Sequence, residues 1–159
     1  MKLLTVTRML RVLLILLLLV CLFVFVLILP LLAAEQVVYY PELAHIEKPM
    51  LFITRLLLAL FMLAVVLIIG MTFLYEKEGA YTQRFLLLLR ILSGLGFAGA
   101  AGVTGVFFFL SGFGGPGPAL GLLMIGGTIC ILIVTMVLLL IHRIVSQAMV
   151  YKDTFDTTV

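Results

Sequence analysis

Glu42, His45 and Glu47 are the closest-set group of metal-capable side chains in this sequence. Zinc sites are defined by three or four ligands at fixed spacing, and His-x-Glu with one further carboxylate is too loose a pattern to predict one. His142 stands beside Arg143 at the end of a long apolar run. A proton relay would need carboxylates or further histidines inside that run, so His142 is expected at a helix end near the headgroups. Cys21 and Cys130 both lie in apolar runs, where a small thiol fills a helix interface and makes neither a disulfide framework nor a metal site. A literal G-x-G-x-x-G occurs at Gly112, Gly114 and Gly117. In a dinucleotide fold those glycines follow a strand and precede an acidic residue about 20 positions on. Here the next acidic residue is Asp153, so the glycines read as a turn. There is no triad-like Ser/His/Asp or Cys/His set on one side of the apolar runs and no glycine-rich loop with lysine. The sequence predicts no enzyme, no cofactor and no metal.

What must position these residues is a set of membrane helices. Ile91 to Ile141 is 51 residues without Asp, Glu, Lys, Arg or His, and it holds 12 of the 14 glycines. At about 1.5 Å per residue it is too long for one crossing of a hydrocarbon core of about 30 Å. Gly114-Gly115-Pro116-Gly117-Pro118 breaks its centre, which predicts two packed helices joined by a tight turn. The whole chain has 159 residues, 65% hydrophobic and 11% charged. Soluble proteins average about a quarter charged residues, so the class is all-α integral membrane protein. No hydrophilic block is long enough to fold separately, and residues 1–159 are expected as one membrane domain. The net charge of +3 gives no support for direct nucleic-acid binding.

Four transmembrane helices are expected, at about 12–34, 51–75, 91–113 and 119–141, in an up-down-up-down bundle with a tail at 142–159. The first follows a basic head with Lys2, Arg8 and Arg11; its apolar run exceeds a signal-peptide core, so it is expected uncleaved. Tyr39 and Tyr40 fit an interfacial aromatic belt in the first loop. Arg55 is the one charge in the second span. It reads either as a buried cation facing an anionic ligand or ion path, or as a side chain snorkelling to the outer interface. With no acidic residue in any span to pair with it, snorkelling is the expectation. Glu76 to Arg90 is expected as a central loop, its apolar half Phe85–Leu89 forming a short interfacial helix. Ile141, Ile144, Val145, Ala148 and Met149 lie on one helical face, so the fourth helix should continue before Asp153.

Lys2, Arg8, Arg11, Lys77, Arg84, Arg90, Arg143 and Lys152 fall on one side of such a bundle, and only Lys48 and Arg55 on the other. That positive-inside bias predicts both termini on the cytoplasmic side of a cell membrane. Gly94, Ala98 and Gly102, with Gly117 and Gly121, show the small-residue spacing that lets helix backbones approach in lipid. They are expected to pack the third helix on the fourth, or to join copies in a homo-oligomer. Thr157-Thr158-Val159 also resembles a carboxylate-capture ending, but three residues are too few to predict it.

Two stretches together suggest a family. The ending Lys152-Asp153-Thr154-Phe155-Asp156-Thr157-Thr158-Val159 resembles the Asn-Asp-Leu-Thr-Val ending of a family of small bacterial membrane proteins, domain of unknown function 2975. Asp156, Thr158 and Val159 match; Phe155 and Thr157 stand where the family has Asn and Leu. Gly79-Ala80-Tyr81-Thr82 with Leu89-Arg90-Ile91 is similar to the family's Gly-x-Phe-Ser entry to its third helix. The resemblance implies a four-helix architecture and no assigned activity. Many members are encoded beside a small helix-turn-helix regulator, which implies a membrane partner for a DNA-binding protein. The expected function is non-enzymatic binding of a regulatory or membrane partner through the cytoplasmic segments, with Tyr81, Arg84, Arg90, Lys152, Asp156, Thr158 and Val159 as candidate docking residues. The alternative is a subunit of a small transporter or channel. It has few intramembrane polar groups to work with: Thr72, Ser93, Thr104, Ser111, Thr128 and Thr135.

Overall fold

A computed structural model of the chain describes residues 3–39, 47–79, 81–112 and 117–156. All the secondary structure among them is helical. Helix α1 (Leu3–Phe23) passes through a π-helical turn (Val24–Ile28) into α2 (Leu29–Tyr39); α3 is Glu47–Glu78, α4 is Gln83–Ser111 and α5 is Pro118–Asp156. Four stretches are long and apolar enough to cross a membrane: Thr5–Glu35, Glu47–Lys77, Gln83–Ser111 and Pro118–Tyr151. A multi-pass membrane protein is the reading these support. The described chain divides into two compact units, Met1–Val66 and Leu67–Val159, with the boundary inside α3.

The helices are longer than the apolar runs that predict them. The first begins at Leu3 instead of residue 12, and the expected central loop shrinks to the few residues between α3 and α4. Charged residues do not end these helices, because arginine and lysine stems can lie along an apolar surface while their heads stay wet. What ends α3 is Gly79, whose φ of 81° is a left-handed conformation that only glycine adopts without strain. Its N–H donates to Tyr75 O at 3.1 Å, closing the last turn. Thr82 then restarts the chain from an extended conformation, φ −124° and ψ 141°. Its carbonyl accepts from the N–H groups of Phe85 (3.0 Å) and Leu86 (3.2 Å). The expected interfacial helix over Phe85–Leu89 is therefore the first part of α4 itself.

In the first unit, the π turn has a local cause. Pro30 lacks an N–H, and in a regular helix its ring would clash with the carbonyl four residues earlier. Widening the preceding turn relieves that clash, and the Leu29 N–H donates to Val24 O across five residues. The helix passes its proline without breaking. Cys21 is buried, but most leucines and valines of α1 are exposed.

In the second unit, α4 and α5 pack along one another. Residues 112–117 join them, and they touch where Gly96 meets Thr135, 16 residues before that connection and 18 after it. Two helices so joined and so paired run in opposite directions. The buried face of α4 is Leu89, Leu92, Ser93, Ala100 and Val106. Beside half-buried Leu139, Ser146, Ala148 and Met149, α5 carries a row of buried or half-buried residues at Gly121, Met124, Thr128, Ile131, Thr135, Leu138, His142 and Val145. Their alternating steps of three and four give the seam of a closely packed helix pair.

Gly96 is where that pair needs glycine. A Cβ there would collide with Thr135 Oγ1 and lie 3.2 Å from Thr135 Cβ. Thr135 is 1% exposed, and its hydroxyl already donates to Ile131 O at 2.7 Å. Of the residues expected to pack the two helices, Gly94, Ala98 and Gly117 lie outside this contact. Gly94 and Ala98 are exposed and Gly102 is half-buried. A Cβ on Gly94 or Gly117 would meet nothing within 4 Å, whereas Gly121 is buried. The physical reason is the choice of face: Gly96 and Ala100 have the same fourfold spacing as Gly94 and Ala98, rotated by two residues.

Candidate functional site

The antiparallel pairing brings the two candidate docking segments to one end of the molecule's second unit. With Gly96 level with Thr135, the axial rise of about 1.5 Å per residue puts Arg90 near the level of Ile141 and Arg84 near that of Gln147. Tyr81 lies near the level of Val150, so this open end of the hairpin is opposite the 112–117 connection. Arg84, Arg90 and Arg143 are all exposed there, and His142 is half-buried. Tyr81, Ile144, Val150 and Tyr151 are exposed as well. Arg84 is engaged in a contact within the chain.

The face expected beyond the apolar run splits in two. Val145, Ala148 and Met149 are half-buried, continuing the seam, whereas Ile141 and Ile144 are exposed. Helix α5 continues through Lys152 to Asp156. Thr157, Thr158 and Val159, and with them the carboxylate-capture ending, lie outside the described residues.

The few hydroxyls within the spans are all engaged along their own helices. Thr72 donates to Ile69 O, Ser93 to Arg90 O, Thr104 to Ala100 O and Ser111 to Phe107 O. Thr128 and Thr135 donate to Met124 O and Ile131 O. Such bonds to carbonyls three or four residues back are how Ser and Thr hide their hydroxyl protons in an apolar helix. None of these protons is free to contact a passing solute in this arrangement.

The first unit holds the other polar feature. The Arg55 guanidinium lies over the Phe25 ring, 5.8 Å from its centroid. Phe25 belongs to the π turn. Arg55 Nε is buried and has no hydrogen-bond partner among the described residues. A cation–π contact contributes about 0.5–2 kcal/mol. Insertion scales place the cost of an arginine at the centre of a membrane helix at about 2.5–3.5 kcal/mol. At the edge of the run Leu56–Tyr75, Arg55 bears less than that, and the ring offsets part of it. Snorkelling alone does not describe this side chain, and Phe25, which sequence reasoning missed, is its partner.

His45 and Glu42 lie outside the described residues, and Glu47 opens α3. Among the described residues no three His, Cys, Asp or Glu side chains converge as metal ligands. Cys21 and Cys130 are both free thiols, one buried and one exposed. Of the G-x-G-x-x-G pattern, Gly112 closes α4 with an ordinary φ of −70° and Gly117 precedes α5. No strand precedes them among the described residues.

No curated protein and no solved structure matches this chain. A family model does, over residues 31–159, and its description is "Protein of unknown function (DUF2975)". The match takes in α3, α4 and α5 whole, including the Gly79–Thr82 turn and the ending that carry the resemblance. It spans well over half of the chain, so this protein belongs to the DUF2975 family.

Proposed function

We propose that this is a non-enzymatic membrane protein that binds a regulatory or membrane partner through the open end of the α4–α5 hairpin. The observation that carries the reading is the length of α5. Its 39 residues extend about 58 Å, nearly twice the hydrocarbon thickness of about 30 Å. The excess lies at the end where Arg84, Arg90 and Arg143 are exposed beside Tyr81, Ile144 and Tyr151. Basic and aromatic side chains together suit a partner surface more than plain solvent exposure. A helix-turn-helix regulator of the kind encoded beside family members would be one such partner, and a second membrane protein another.

The same reading takes the four spans as an up-down-up-down bundle in a cell membrane, with both termini and the open end cytoplasmic. Eight of the ten Lys and Arg residues support that orientation. A topology reporter at Lys48 should give an external signal and one at the C-terminus a cytoplasmic signal; a cytoplasmic signal at Lys48 would reverse the assignment. Gentle extraction of the full chain followed by mass spectrometry should recover a partner that is lost when Ile144–Val159 is removed. Retention of every co-purifying protein by the shortened chain would refute docking through the tail.

A further inference from the structure

We propose that Arg55, seated on Phe25, is a binding position for the phosphate headgroup of an anionic lipid. Three observations converge on it. The guanidinium has five N–H donors in a fixed fork that suits a phosphate. No acceptor among the described residues serves its buried Nε, its one described contact is the face of Phe25, and the half-buried side chain leaves the terminal N–H groups of the fork as the ones a headgroup would take. An aromatic face attracts the cation but accepts none of its hydrogen bonds in the fork geometry.

The second observation is depth. On α3, Arg55 precedes the apolar run Leu56–Tyr75, which puts it at an edge of the hydrocarbon. On the first helix, Phe25 lies two residues past the middle of the run Val12–Ala34. The same contact is therefore at the edge of one run and the middle of the other. A bilayer meets such a mismatch by thinning and by drawing headgroups and water toward the charge. Headgroup phosphates are the acceptors this brings to the guanidinium.

The surface around the cation supplies the third. Val26 and Leu27 beside Phe25, and Phe52 and Leu56 around Arg55, are all exposed. A cation bordered by open apolar surface matches a ligand with an anionic head and an apolar tail better than a free ion. The π turn holds Phe25 where it can take part, giving that wide turn a role beyond accommodating Pro30.

The test uses the full chain, stripped of lipid in mild detergent and followed by native mass spectrometry. Phosphatidylglycerol should be retained about tenfold better than a neutral galactolipid with the same acyl chains, the gain expected of charge-assisted hydrogen bonds. Arg55→Gln should abolish the preference, and Arg55→Lys should keep a weakened one because the charge remains without the fork. Phe25→Leu should weaken it. Equal retention of the two lipids by the unaltered chain would overturn the proposal without reference to any variant. So would an undiminished preference in Arg55→Gln, or displacement of phosphatidylglycerol by millimolar inorganic phosphate, which would make the site one for a free anion.

Discussion

Along Leu3–Tyr39 the one buried apolar side chain among the described residues is Cys21, whereas α4 alone buries Leu89, Leu92, Ala100 and Val106. The first helix is the richer in leucine, and α4 is the richer in glycine and alanine. In water the leucines would be the ones driven inward. In a bilayer, lipid tails are as apolar as leucine, so association rests on close packing, and small residues decide which helices can approach. The comparison explains why the glycine-rich hairpin is the more closely packed of the two. It also explains why the leucine-rich helix is left with most of its apolar side chains exposed.

The sharpest way to break this contrast is to remove the space at Gly96. Gly96→Leu should prevent α4 from seating on α5, seen as loss of the folded species in detergent. Gly96→Ala should destabilise by about 1–3 kcal/mol, the usual range for overpacking, in equilibrium unfolding in mixed micelles. Thr135→Ala in the same chain should recover much of that loss, because the atom struck is the Thr135 hydroxyl oxygen. Leu89, 2% exposed, comes next. Leu89→Ala should cost about 1–2 kcal/mol, less than in a soluble core because only the packing and cavity contribution is lost in lipid. Two residues from Gly96, Gly94→Ala should change stability by no more than about 0.5–1 kcal/mol and in the favourable direction, since its Cβ meets nothing and alanine is the better helix former. Smallest of all should be Leu122→Ala on the exposed face of α5, within about 0.5 kcal/mol.

The four spans are readily legible in the sequence, because an apolar, charge-free run of about 20 residues is what crossing a bilayer demands and what a soluble helix rarely contains. Where the helices end is much less legible. Glu76 and Arg90 look like loop residues by composition, yet they sit in helices, and the connection between α3 and α4 is residues 79–82, with Gly79 left-handed and Thr82 extended. The packing face was visible in kind but not in register. From Ser93 to Gly105, small residues occur on every side of the helix, so fourfold spacing fits several stripes equally. The choice is made by Thr135 on the facing helix, which spacing within α4 cannot report. The Arg55–Phe25 contact joins residues 30 apart in sequence on different helices, with no pattern to announce it.

The claim that function lies beyond the packed hairpin is tested most directly by photo-crosslinking from two positions of α5. A photoreactive residue at Tyr151, on the open end, should capture one discrete protein other than this chain in membranes. The same residue at Leu122, 78% exposed on the apolar stretch, should capture lipid. A protein adduct at Leu122 with none at Tyr151 would contradict the account and return the functional surface to the glycine-rich helices.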